Sequence, residues 1–190
     1  MEKLDQAGEL LFIFNPRTQA SAESPEVSLV RAAQAGDRDA FGKLYERYGR
    51  MVHGILLARV PLGEVDDLVQ EVFLGAFRRI DALRDPRTFG GWLATIARNR
   101  AHDYHRRSRE TDELSEHMPA PDSPRAEAVE ALRLLQSLPD AYRETLVLRL
   151  VEGMSGADIA ARTGLTPASV RVNLHRGMQR LRELMQGSEK

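Results

Sequence analysis

The stretch from Asp66 to Ile80, DDLVQEVFLGAFRRI, constrains the fold of this chain more than any other. Turned at about 100° per residue, Val65, Leu68, Val69, Val72, Phe73, Ala76 and Ile80 gather on one broad apolar face. A strand sends successive side chains to opposite faces and cannot collect residues at these spacings, so the segment must be an amphipathic helix. Its other side is unusual. Leu74 and Phe77 sit there among Asp67, Gln70, Glu71 and Arg78. Large apolar groups ringed by charge mark either a docking surface for another protein or a contact with a neighbouring helix.

The same three-and-four spacing recurs along the chain. Val30 and Ala33 begin it, and Phe41, Leu44, Tyr45, Tyr48, Met51, Val52, Ile55 and Leu56 continue it after a break at Ala35-Gly36-Asp37. Pro61-Leu62-Gly63 interrupts it again, and Glu64 to Asp67 place acids in the first turn of the next helix, where the helix dipole favours them. Beyond Ile80, DALRDPRTFGGW reads as a loop in which Pro86 forbids helix through Asp85. Thr88 is expected to cap a further helix whose apolar face holds Phe89, Trp92, Leu93, Ile96 and Ala97. Aromatic residues make up only 6% of the chain. Runs alternating apolar and polar residues are nearly absent, so the expectation is all-α.

Net charge is −1, yet its distribution is uneven. Arg98, Arg100, Arg106, Arg107 and Arg109 crowd one segment, an acidic run from Glu110 to Glu127 follows, and Arg171, Arg176, Arg180 and Arg182 return near the end. This order implies two separate nucleic-acid contacts joined by an acidic strap. The strap carries Pro119, Pro121 and Pro124 with no helical period, which predicts a flexible or extended linker. Two small helical domains are therefore expected, spanning residues 27–109 and 128–190. They are joined by the linker 110–127 and preceded by an extension over residues 1–26. In that extension ELLFIF reads as a small strand or helix, or as an unstructured remnant.

The second domain contains a helix-turn-helix. Leu132, Leu135 and Leu138 lead to Pro139, and Tyr142, Leu146, Val147, Leu150 and Val151 form an apolar face ending near Gly153. Ser155 and Asp158 have the spacing of a capping box, Gly164 allows the positive φ of a tight turn, and Thr166-Pro167 suit the cap and first position of the last helix. Val170, Leu174, Met178, Leu181 and Met185 make the inward stripe of that helix, leaving Ser169, Val172, Arg176 and Gln179 outward for a major groove. Arg176 can pair with a guanine edge and Val172 can touch a thymine methyl, while Arg171, Asn173 and His175 flank them.

The run D-D-L-V-Q-E-V-F resembles the core-polymerase-binding segment of bacterial sigma factors of the small extracytoplasmic-function branch. GDRDAFGKLYERY resembles the family's opening helix, and Trp92-Leu93-Ala94-Thr95-Ile96-Ala97-Arg98-Asn99 its promoter-melting helix. The stretch from Leu138 to Leu184 is similar to its promoter-recognition domain nearly end to end. The resemblance runs in order from about Ser28 to Met185. It implies polymerase binding by Asp67, Gln70, Glu71, Leu74, Phe77 and Arg78. It implies contacts to the downstream (−10) element by Trp92, Arg98, Asn99, Arg106 and Arg107, with Asn99 holding a flipped base. It further implies contacts to the upstream (−35) element by Ser169, Arg171, Val172, Asn173, His175 and Arg176. The implied partners are core RNA polymerase, promoter DNA and an anti-sigma factor, often membrane-associated in the family.

Other classes fit less well. A free-standing repressor needs only the helix-turn-helix, and a sigma mimic would have lost the DNA-reading arginines. No nucleophile with base and orienter, phosphate loop or metal cluster emerges, so neither catalysis, cofactor nor small-molecule substrate is expected. His102-Asp103 with His105 lacks the separated ligands of a metal site, and His53 reads as a core or boundary residue. No cysteine is present, and the apolar run Leu10–Phe14 is too short to span a bilayer, so a cytoplasmic location is expected.

Overall fold

The computed structural model describes residues 24–111 and 124–188. Among these residues all regular structure is helical. Four helices come first: α1 (Pro25–Gln34), α2 (Arg38–Leu57), α3 (Val65–Phe77) and α4 (Phe89–Thr111). Four more follow: α5 (Pro124–Gln136), α6 (Asp140–Leu150), α7 (Gly156–Thr163) and α8 (Pro167–Ser188). The ELLFIF segment lies outside the described residues.

Breaks fall where local chemistry requires them. Gly36 takes φ +91° after α1, and Asp37 then caps α2 by accepting the N–H groups of Asp39 and Ala40. Gln34 donates to the carbonyls of Ile80 and Leu83, pinning the loop after α3 back onto α1. Before α4 the cap differs from expectation. Thr88 donates its hydroxyl to the Asp85 carbonyl, whereas the Asp85 carboxylate accepts the Arg87 N–H and closes a 3-10 turn over Pro86–Thr88.

Helix reaches into the expected linker, residues 110–127, from both sides. Helix α4 runs through Thr111, and Pro124 opens α5 at the first helical position, where its fixed φ and missing N–H cost nothing. The remainder of the acidic strap lies outside the described residues.

Helix α2 is the hub, packed by α1, α3, α4, α6 and α7. All seven residues of the predicted apolar face from Val65 to Ile80 are buried. On α2 two predicted core positions are not: Phe41 is only half-buried and Tyr45 is 44% exposed. They lie where α2 meets α3 at the surface, so their rings pack sideways on Phe73 and Phe77 instead of inward.

Helix α6 departs further from its predicted face. Glu144, Thr145, Leu146, Val147 and Leu148 are all buried in succession, whereas Leu150 and Val151 are about half exposed. The cause is packing on two sides, by α8 and by α2, so no one stripe describes it. At Gly177 of α8 an added Cβ would lie 3.0 Å from Leu146, which is how closely α8 approaches. Past Leu181 the inward stripe of α8 shifts to Leu184, and Met185 is left 54% exposed.

The two groups of helices share a continuous core. An added Cβ at Gly54 of α2 would lie 2.7 Å from Leu148 of α6. At Gly90 of α4 it would lie 2.6 Å from the Arg162 carbonyl of α7. Gln136 donates to the Leu57 and Val60 carbonyls at the end of α2, and Arg162 donates to the Arg47 carbonyl.

Candidate protein-docking groove and nucleic-acid interfaces

Between α2 and α3 runs an open groove of about 640 Å³ lined by Phe41, Tyr45, Asp67, Gln70, Glu71, Phe73, Leu74 and Phe77. Its walls are aromatic: the Phe41 and Phe77 rings meet edge-on at 4.9 Å, and Tyr45 lies 4.5 Å from Phe73. Leu74 is 51% exposed and Phe77 37%. Five of the six residues expected to face a protein partner come together here. Arg78 is exposed at the C-cap of α3 and does not line the groove. Phe41 and Tyr45, read in the sequence as core, line the groove; their α2 stripe is continuous with the core, and only the pairing with α3 distinguishes them.

The arginine-rich face of α4 begins beside this groove. Arg100 forms an ion pair with Glu71 at 3.1 Å, close enough for charge but not aligned for a hydrogen bond. Arg106 pairs with Asp103 at 2.9 Å, and Arg107 donates to the Asp103 carbonyl. Asn99 is exposed. Trp92 is half-buried, its ring 5.8 Å from that of Phe89, so it is part of the core edge.

Arg98 is turned elsewhere. Its Nε and Nη2 donate to the two carboxylate oxygens of Glu144 at 3.0 and 2.7 Å, and Arg59 Nη2 reaches the same carboxylate at 2.7 Å. Burial pushes the Glu144 carboxyl up. The hydrogen bond from Arg98 and the charges of Arg59 and Arg98 outweigh that and hold it below its usual range. The same hydrogen bond raises Arg98. A second carboxylate, Glu152, receives His53 Nδ1 at 2.5 Å and lies 3.7 Å from Arg50 Nε. Neither glutamate was evident from sequence, where a charged residue on a helix reads as solvated.

In the helix-turn-helix the local chemistry is as read. Ser155 and Asp158 form a reciprocal capping box, Gly164 takes φ +78°, and Thr166 Oγ1 accepts the Ser169 N–H at 3.1 Å. Arg171, Val172, His175 and Arg176 stand exposed on α8. Ser169 and Asn173 are less available: the Ser169 hydroxyl bonds Thr166 at 2.8 Å, and the Asn173 amide donates to Thr145 on α6 at 3.4 Å. No group of three or more potential metal ligands occurs among the described residues, and no described helix is long and apolar enough to cross a membrane. His105 instead contacts the Arg59 carbonyl at 2.7 Å.

Comparison with known proteins matches this order of parts. Sigma-70 region 2 matches residues 44–111, and Sigma-70 region 4 matches residues 128–181. The RNA polymerase sigma factor CarQ of Myxococcus xanthus is 36% identical over 79% of this chain and 91% of its own length. The ECF RNA polymerase sigma factor BldN of Streptomyces coelicolor is 32% identical over 89% of this chain and 69% of its own. Among solved structures, CnrH in complex with the cytosolic domain of CnrY superposes with a TM-score of 0.62 at 29% identity, covering 85% of this chain and 97% of that one. The region 2 match thus covers most of α2 with α3 and the arginine-lined α4, and the region 4 match covers the helix-turn-helix. The chain belongs to the ECF RNA polymerase sigma factors, adaptors that join core polymerase and direct promoter-specific initiation of transcription.

Proposed function

We propose that the groove between α2 and α3 is where this sigma factor holds core polymerase. The observation that carries this reading is an exposed aromatic and aliphatic surface, Phe41, Tyr45, Leu74 and Phe77, rimmed by Asp67, Gln70 and Glu71. An apolar centre excludes water while an acidic rim selects a partner with basic groups, as in the anatomy of specific interfaces.

Trp92, Arg98, Asn99, Arg106 and Arg107 on α4 then serve the −10 element, with the arginines on phosphates and Asn99 on an unpaired base. Ser169, Arg171, Val172, Asn173, His175 and Arg176 on α8 serve the −35 element. The division of labour follows two domains, residues 27–109 and 128–190. The CnrH structure contains the cytosolic domain of CnrY. A comparable anti-sigma factor is the partner proposed to hold this chain inactive in the cytoplasm. The protein itself catalyses no reaction and needs no small-molecule substrate or cofactor.

The test is co-elution with core polymerase and run-off transcription from a genomic DNA pool, comparing the wild-type chain with Leu74→Glu and Phe77→Glu. Both variants should keep their helical content, lose co-elution and add no new transcripts. Undiminished co-elution would remove the groove from the docking role.

A further inference from the structure

We propose that Glu144 is an internal stand-in for a nucleic-acid phosphate. Its carboxylate, seated between Arg98 and Arg59, latches α5–α8 onto α1–α4 and withholds Arg98 from promoter DNA until the two groups of helices separate. The inference rests on the reading of α4 as the −10 surface.

The geometry of the pair is the first support. Arg98 offers the fork of Nε and Nη2 to both oxygens of Glu144, at 3.0 and 2.7 Å, and Arg59 adds a third donor at 2.7 Å. A guanidinium fork recognises carboxylate and phosphate by the same bidentate contact, so the two compete for one site. Glu144 is 4% exposed, so a phosphate reaches Arg98 by this fork only after the carboxylate has left.

The character of the interface is the second. Glu152 repeats the arrangement beside Arg50 and His53, Arg162 donates to the Arg47 carbonyl, and Gln136 donates to Leu57 and Val60. These pairs flank an apolar seam where Leu148 of α6 meets Gly54 of α2, and contacts between domains that part during function are richer in such polar pairs than permanent cores are. A buried ion pair also gains little net stability, because desolvation offsets its attraction, while it fixes one register. That combination suits a contact that must form specifically and open again.

Promoter geometry supplies the third. Elements named −10 and −35 are about 25 base pairs apart, which at about 34 Å per helical turn is roughly 85 Å of duplex. A compact body the size of the described residues, 24–111 and 124–188, has a radius of gyration of about 15 Å and is thus about 40 Å across. The closed arrangement is too short to engage both elements, so use of the promoter and closure of the latch exclude each other.

Two variants test this by independent routes. Glu144→Gln keeps the shape of the latch and removes its charge. Gly54→Ala leaves every charge in place and wedges a methyl group where an added Cβ would lie 2.7 Å from Leu148 and 2.8 Å from Glu152, while raising the helix propensity of α2. The chain has no cysteine, so Asp81→Cys and Gln186→Cys accept a donor and acceptor dye for energy transfer between the two groups of helices. Binding is read with fluorescein-labelled single-stranded dT20, without polymerase, by anisotropy. Both variants should lower the transfer efficiency and bind dT20 more tightly, on the order of tenfold if the open form is a minor population of the wild type. Adding Arg98→Ala should abolish that gain. Unchanged transfer in both variants would remove the latch. Opening without tighter binding, or a gain that survives Arg98→Ala, would remove the masking of Arg98. Wild-type transcription with core polymerase is measured alongside. Its absence would overturn the sigma reading itself, whereas its presence with a failed latch overturns only this inference.

Discussion

The Arg100 guanidinium lies 3.1 Å from the Glu71 carboxylate, joining the rim of the groove between α2 and α3 to the arginine-rich helix that follows it. One side chain thus serves two surfaces. Replacing Glu71 with Ala removes an acidic rim group and at the same time releases Arg100. The pair is partly solvated, with Arg100 31% and Glu71 44% exposed, so the cost in stability is about 0–1 kcal/mol. Polymerase affinity should fall while dT20 affinity rises. Measuring both on the same preparation separates this from general damage, which would lower the two together.

Tyr45 makes a sharper test of the groove than the residues of α3 do, because it comes from a different helix. Its ring is 44% exposed and packs on Phe73 at 4.5 Å. Tyr45→Ala should leave melting within about 1 kcal/mol of wild type, since the side chain gives up partial burial only. If the tyrosine is an anchor of the interface, polymerase binding should weaken by about 2 kcal/mol, or roughly thirtyfold, as truncated aromatic anchors do. Binding within a factor of about two of wild type would confine the docking surface to α3.

How much of this was legible beforehand follows from which forces act locally. Gly36, Asp37, the capping box at Ser155 and Asp158, and the left-handed turn at Gly164 were readable because each satisfies backbone groups within a few residues. The buried face of α3 was readable because the helix is covered from one side. Helix α6 was not, because α2 and α8 cover it from two, burying Glu144 and Thr145 and exposing Leu150 and Val151. Phe41 and Tyr45 looked like core because a stripe on a wheel does not record where the neighbouring helix ends. Glu144 could not be paired with Arg98 from sequence at all: the two residues are 46 apart and on different groups of helices.

Arg176 and Arg171 should separate base reading from phosphate anchoring. Both are exposed on α8. If Arg176 forms a bidentate contact with a guanine, Arg176→Ala costs about 1–3 kcal/mol against the preferred site and much less against sites altered at that one position. Arg171→Ala should instead weaken all sites alike and lower the salt dependence of binding by about one phosphate contact. A panel of single-base promoter variants, titrated with holoenzyme at two salt concentrations, measures both. Uniform loss for Arg176→Ala would make it a phosphate contact.

His53 and Glu144, each in a contact that bridges the helical groups, should respond to pH in opposite windows. At His53 the hydrogen bond to Glu152 raises the imidazole above its ordinary 6.5, against the lowering effect of burial, and the charges of Glu152 and Asp66 add to the rise. A raised histidine contributes its full stabilisation below 6.5 and loses it as pH climbs through the raised value. Glu144 is held below its ordinary 4.5, so its contribution is present above 4.5 and lost only as pH falls through the lowered value. Arg50 also faces Glu152, so the contact loosens at alkaline pH without being abolished. Tm should therefore decline from pH 6.5 upward in the wild type, and His53→Asn should flatten that decline while leaving the acid limb near Glu144 unchanged. An equal alkaline slope in the two proteins would show that His53 does not titrate against the interface.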